Sequence, residues 1–136
     1  MTDPVDPDRL RPEQLSMLLD ARANAYAPYS GHPVAALLVS DSGRLFCSCN
    51  VESAHFKSIC AEAGAISALI SAGEQRIREV WILGPGPEPC PPCGDCRQRL
   101  HEFAGTQTRI HLVDEEGRVL NSYSLPDLLP EAFGGP

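Results

Sequence analysis

Three thiols and a carboxylate are concentrated in two short stretches. Any fold that uses them together must bring the starts of two separate segments to one point. The first stretch is Cys60-Ala61-Glu62 and the second, well downstream, is Pro92-Cys93-Gly94-Asp95-Cys96. Each opens a segment of apolar periodicity. Cys93 and Cys96 are three apart, so on a first helical turn they share a face and can hold one ion. Cys60 and Glu62 diverge in mid-helix, but a metal sitting off a helix N-terminus is within reach of both. Two N-termini then converge, and their partial positive ends suit anionic sulfurs. Three thiolates fill three corners of a zinc tetrahedron and leave the fourth for water. A carboxylate beside that corner can take the water's proton and pass it to a leaving group.

Two other readings of the cysteines stay open on the residues alone. A Cys-x-x-Cys pair can be a redox couple of thioredoxin type, or half of a structural zinc knuckle. A structural site wants a fourth ligand, and Cys90 can supply it, since Cys90-Pro91-Pro92-Cys93 is itself a second Cys-x-x-Cys. Neither reading accounts for a glutamate two residues from the third cysteine.

The 136 residues suffice for one domain with a single packed core. We expect a mobile lead-in over residues 1–12, rich in Pro and Asp, and one catalytic domain over 13–136. Net charge is −7, from 11 basic and 18 acidic residues. Affinity for phosphate backbones comes mostly from Lys and Arg, so a small free substrate is expected and a nucleic acid is not. No stretch approaches the ~20 apolar residues of a membrane span. No signal peptide is legible, and clustered cysteines without secretion read as metal ligands rather than disulfides. A cytoplasmic protein with no membrane partner is expected.

In chain order, Leu15, Leu18, Leu19 and Ala23 form the stripe of a first helix ending near Ala25, which Pro28, Gly31 and Pro33 then break. Val34 to Val39 reads as a strand covered on both faces, with Leu45 to Cys49 its hairpin partner. Cys47 and Cys49 share a face there and read as buried small apolar residues. A second helix is predicted over Cys60 to Ala72, carrying Ala65, Ile66, Leu69 and Ile70 into the core and stopping at Gly73. Gly64 inside it costs roughly 1 kcal/mol against alanine. Further elements are a strand over 79–83, a helix over 93–104, strands over 109–113 and 119–120, and a helical turn over 125–129. This order implies the α/β class, a mixed sheet with helices on its faces.

Several blocks in order resemble the cytidine deaminases, specifically the small homotetrameric kind with three cysteine ligands. They are Tyr26-Ala27-Pro28-Tyr29-Ser30, Asn50-Val51-Glu52, Cys60-Ala61-Glu62, Pro92 through Cys96-Arg97-Gln98, and Leu128-Leu129-Pro130-Glu131-Ala132-Phe133. The resemblance runs from about residue 20 to Phe133. It implies a three-layer α/β/α fold with a mixed five-stranded sheet, and one Zn2+ per subunit on Cys60, Cys93 and Cys96. It implies hydrolysis of cytidine or 2′-deoxycytidine at C4, giving the uridine and ammonia, as in pyrimidine salvage. Glu62 would protonate N3 and then the departing amine. Asn50 and Glu52 would hold the ribose hydroxyls, with Ala61 and His32 also against the substrate. Phe133 would line the base pocket of a neighbouring subunit, so that a homotetramer shares its active sites. Independently of the resemblance, an amide and a carboxylate on one short loop can match a sugar's donors and acceptors.

The sequence departs from the family pattern at four places. Ala63 stands where an arginine commonly follows Cys-Ala-Glu, leaving Arg97 as the candidate to offset the thiolates. His32 stands where an aromatic residue is usual. The loop from Asn50 to Cys60 is about one residue short, and Cys90 is an extra thiol near the ligands. Two alternatives follow: a deaminase of modified cytosine nucleosides of blasticidin-S type, or a non-catalytic zinc-stabilised interaction domain with four protein ligands.

Overall fold

The computed structural model describes residues 8–134. Its elements are α1 (Pro12–Ala23), β1 (Ala35–Ser40), β2 (Leu45–Cys49), α2 (Ala61–Ser71), β3 (Ile77–Leu83), α3 (Gly94–Phe103), β4 (Ala104–Val113), β5 (Val119–Tyr123) and α4 (Leu125–Leu128). The strands form one sheet in the order β2-β1-β3-β4-β5. β3 and β4 run parallel, and every other neighbouring pair runs antiparallel. This is the expected mixed five-stranded sheet.

β1 is buried along its whole length because both of its faces are covered. Ala35, Leu37 and Val39 join Trp81 and Leu83 of β3 against Leu18 of α1. On the other face, Leu38, Val80 and Ile82 pack with Ala65, Ile66 and Leu69 of α2 and Leu100 of α3. The sheet is thus the middle layer of an α/β/α sandwich. Cys47 lies on the α1 side with its thiol 3.5 Å from the Met17 carbonyl, and burial pushes that thiol up to about 11.

The structure departs from the sequence pattern mainly at element ends. α1 stops at Ala23, two residues early, with Asn24 as its C-cap. β3 begins at Ile77, β5 runs on to Tyr123, and β4 begins at Ala104, directly after α3. The first half of β4 is polar, so no alternation marks it. Thr108 holds it instead, its buried hydroxyl donating to the Ile77 carbonyl and accepting from the Gly105 amide. A bulge between Ile77 and Glu79 absorbs the misfit. Ile70, expected in the core, is 38% exposed. Its place on α2 is one residue past Leu69, rotated off the stripe that Ala65, Ile66 and Leu69 turn to the sheet. Residues 8–10 of the expected lead-in are fixed: Leu10 is buried and donates its amide to the Gly117 carbonyl, while Val119 donates to Asp8. Residues 1–7 lie outside the described residues.

Gly64 has a packing reason for its place in α2. A Cβ there would run into the hydroxyl and Cβ of Ser48 on β2, so the glycine lets the helix lie close on the sheet. We expect Gly64→Ala to destabilise the fold by about 1–2 kcal/mol despite alanine's better helix propensity. In thermal unfolding, Ser48→Ala/Gly64→Ala should recover most of that loss; a single variant as stable as wild type would show the approach to be loose.

Candidate metal centre

Cys60 is the N-cap of α2 and Cys93 the N-cap of α3, while Cys96 sits in the first turn of α3. The three sulfurs lie within 4.8 Å of one another, with Cys60 and Cys93 3.8 Å apart. Sulfurs bound ~2.3 Å from one tetrahedral zinc stand roughly that far from each other. Two helix N-termini therefore aim at one point, which moderates the charge of a thiolate cluster. The donors are three soft sulfurs in a set that can hold one ion, and zinc fits them. Cys90 is not part of this group. Its thiol lies 3.7 Å from His32 Nε2 instead, so the fourth corner is not taken by a protein sulfur.

Glu62 follows in the first turn of α2, and it is the only buried charged side chain among the described residues. Burial raises its carboxyl above the ordinary carboxylate range, opposed by hydrogen bonds from its own amide and the Cys96 thiol. Burial also pushes the Cys60 thiol up to about 11 and the Cys96 thiol well above the ordinary range. Cys93 is exposed, but for Cys60, Cys96 and Glu62 burial disfavours the ionised form, a cost that a divalent cation held among them would relieve.

A second cluster forms the rim. Asn50, at the end of β2, accepts at Oδ1 from the Val34 amide and donates from Nδ2 to the His32 carbonyl. Glu52 accepts from the amides of Tyr29 and Ser30 and from the Ser30 hydroxyl. The Ser30 hydroxyl is the leading reason its carboxyl lies below the usual range. Residues 26–33 and 50–52 are thereby tied into one unit, with Cys90 beside its His32.

The family described as the cytidine and deoxycytidylate deaminase zinc-binding region matches residues 11–112. A cytidine deaminase of Mycobacterium tuberculosis is 38% identical over 115 residues, 84% of this chain and 82% of the relative. One from Sporosarcina psychrophila is 34% identical over 114 residues, 83% of each chain. The crystal structure of cytidine deaminase from Burkholderia pseudomallei superposes with a TM-score of 0.81 at 35% identity, covering 91% of this chain and 100% of that one. The chain belongs to the cytidine and deoxycytidylate deaminase family.

In this deaminase the residues around the centre are used differently from the reading of the sequence. Arg97 was expected to offset the thiolates, yet its hydrogen bonds go to carbonyls: Nε to Pro92 at 2.8 Å and Nη1 to Leu128 at 2.9 Å. It anchors the approach to Cys93 and ties it to α4. Ala63 faces a cavity of about 300 Å3 that Arg99 also lines. Sequence reasoning missed Arg99, whose charge pairs with Asp95 at 2.9 Å on the first turn of α3, beside Cys96. Its three-residue spacing from Cys96 was the signal available. Phe133 is 87% exposed, and Gln98 of α3 holds its carbonyl at 3.0 Å.

Two outcomes are expected. Arg97→Ala should lose about 2–3 kcal/mol in urea unfolding, and Arg97→Lys should not restore it, because a lysine cannot bridge both carbonyls. Separately, thiols raised by the fold must shed protons to bind zinc. Their neutral forms favour the metal-free fold below the ordinary thiol range, and Cys60 withdraws that contribution as pH passes about 11. Zinc uptake near neutral pH should therefore release protons and tighten by about tenfold or more per pH unit. Calorimetry in buffers of different ionisation enthalpy checks this; a buffer-independent heat would contradict it.

Proposed function

We propose that the chain hydrolyses the amine at C4 of free cytidine and 2′-deoxycytidine, releasing ammonia and the corresponding uridine. The observation that carries this reading is Glu62, a buried carboxylate beside three thiols that leave the fourth metal position to a non-protein ligand. Cys60, Cys93 and Cys96 would hold the zinc. When bound, zinc supplies Lewis acidity that makes water acidic near neutral pH. Glu62 would take a proton from the water whose oxygen bonds C4 and give it to N3 of the pyrimidine. It would then take that oxygen's remaining proton and give it to the amine as the C4–N bond breaks, and its lack of solvent keeps the proton from leaking.

The rim supports a nucleoside rather than a free base. Asn50 keeps a second amide hydrogen and a second lone pair beyond its backbone bonds, and Glu52 carries two oxygens on the same unit. They take the ribose hydroxyls. Ala61, expected against the substrate, is fully buried between a ligand and the shuttle and so supports the base pocket from behind, while His32 closes the rim on the Cys90 side. Phe133, exposed in the single chain, completes the base pocket of a neighbouring copy in a homotetramer, with one deaminase domain spanning residues 13–136. Glu52 is what an ordinary ribose requires and a modified-nucleoside enzyme of blasticidin-S type does not. A four-ligand structural domain is disfavoured because Cys90 stands outside the sulfur group.

Six free cysteines suit a reducing cytoplasm. Among the described residues no helix is long and apolar enough to cross a membrane.

The test follows the ultraviolet absorbance of cytidine and the release of ammonia, in parallel with Glu62→Gln. Wild type should turn over cytidine, and the variant should lose about 10²–10⁴-fold or more in kcat while keeping its zinc. A zinc-loaded wild type inert toward cytidine but active on a modified cytosine nucleoside would move the assignment to that substrate.

A further inference from the structure

A groove of about 570 Å3 lies between the start of α1 and the sheet face carrying Val39, Leu45 and Trp81, and shares no residue with the metal centre. Four arginines line it, Arg9, Arg11, Arg78 and Arg109, against a single carboxylate, Glu79. That carboxylate is already engaged: it lies 3.2 Å from His111 Nε2, and the His111 ring stacks on Trp81 with centroids 4.1 Å apart. Elsewhere Arg22, Arg44, Arg99 and Arg118 each have a carboxylate partner. In the groove, Arg9 bonds only the Glu116 carbonyl, and among the described residues Arg11, Arg78 and Arg109 form no ion pair or side-chain hydrogen bond.

This distribution runs against the rest of the molecule. A chain with 18 acidic and 11 basic residues has carboxylates to spare, yet among the described residues none is in direct ion-pair contact with these four guanidinium groups, although Arg78 acts on Glu79 and Arg109 on Asp127 from a distance. Like charges gathered there repel one another unless an anion joins them. The guanidinium fork matches phosphate oxygens in pairs. The volume falls within the ~300–1,000 Å3 of small-molecule sites. We propose that this groove is a second ligand site, which binds a small molecule carrying a chain of two or more phosphate groups. The phosphates lie among Arg9, Arg11, Arg78 and Arg109, over the floor formed by Trp81 and His111.

Trp81 is the only tryptophan, so its emission reports on the groove directly. Titrating the zinc-loaded protein with inorganic triphosphate at physiological salt should give a saturable change in that emission. Arg78→Gln/Arg109→Gln should weaken binding by about tenfold or more, while Arg44→Ala, which removes an arginine outside the groove, should leave it unchanged. Circular dichroism confirms that each variant is folded. A wild type showing neither an emission change nor a heat of binding overturns the proposal. So does equal weakening by Arg44→Ala, which would mark the binding as a general charge effect. Within a positive result, tighter binding of a nucleoside triphosphate than of inorganic triphosphate identifies a nucleotide as the source. Equal affinities identify the phosphate chain alone.

Discussion

The convergence of two helix N-termini is the constraint on which the rest depends. Cys60 and Cys93 can share an ion only if α2 and α3 begin side by side on one face of the sheet. The sheet order does this. β1 and β3 are neighbours in its centre, α2 returns the chain from the hairpin β1–β2 to β3, and α3 leaves the end of β3 to start β4. The parallel pair β3–β4 requires a crossover, and that crossover is the element that carries Cys93 and Cys96.

Closeness has to be maintained as well as created. Gly64 lets α2 settle onto β2 one turn from the ligand end, and Arg97 fixes the backbone just before Cys93 to the start of the C-terminal segment. Asn50 and Glu52, the residues proposed to meet the ribose, spend hydrogen bonds on the loop that precedes β1, so the side chains proposed to bind the sugar also set that loop. A polar residue that organises its own loop is already oriented when a ligand arrives, and less rotamer entropy remains to be lost.

Much of this was legible in the sequence, for identifiable reasons. β1 and α2 show their burial in apolar patterning, and the grouping of Cys60, Cys93 and Cys96 shows in their spacing, so these were placed well. The first half of β4 was not legible, because Thr108 stabilises it through two hydrogen bonds across the chain rather than through alternation. Ile70 was misplaced because composition cannot tell the edge of an apolar stripe from its middle. The job of Arg97 was hidden because both of its acceptors are backbone carbonyls, which every residue offers. Leu10 was read into a lead-in because its neighbours are Pro, Asp and Arg, and only the pairing with residues 117–119 buries it.

Ala63 shows how charge at the centre is managed with fewer means. Three thiolates and a buried carboxylate exceed the charge of one divalent cation, so further positive potential has to come from the protein. Position 63 supplies none, and Arg97 makes no contact with the sulfurs, its bonded nitrogens donating to carbonyls while its charge stays next to Cys96. Two further sources lie close by. The N-termini of α2 and α3 supply partial positive charge at the sulfurs, at a distance fixed by the backbone. Arg99, across the cavity beside Ala63, supplies a full charge, but one shared with Asp95 and open to solvent. The backbone contribution does not depend on salt or on side-chain rotamers, whereas that of Arg99 depends on both. A site balanced mainly by helix termini keeps its charge environment so long as the two helices stay docked, and docking is what the close approach at Gly64 secures.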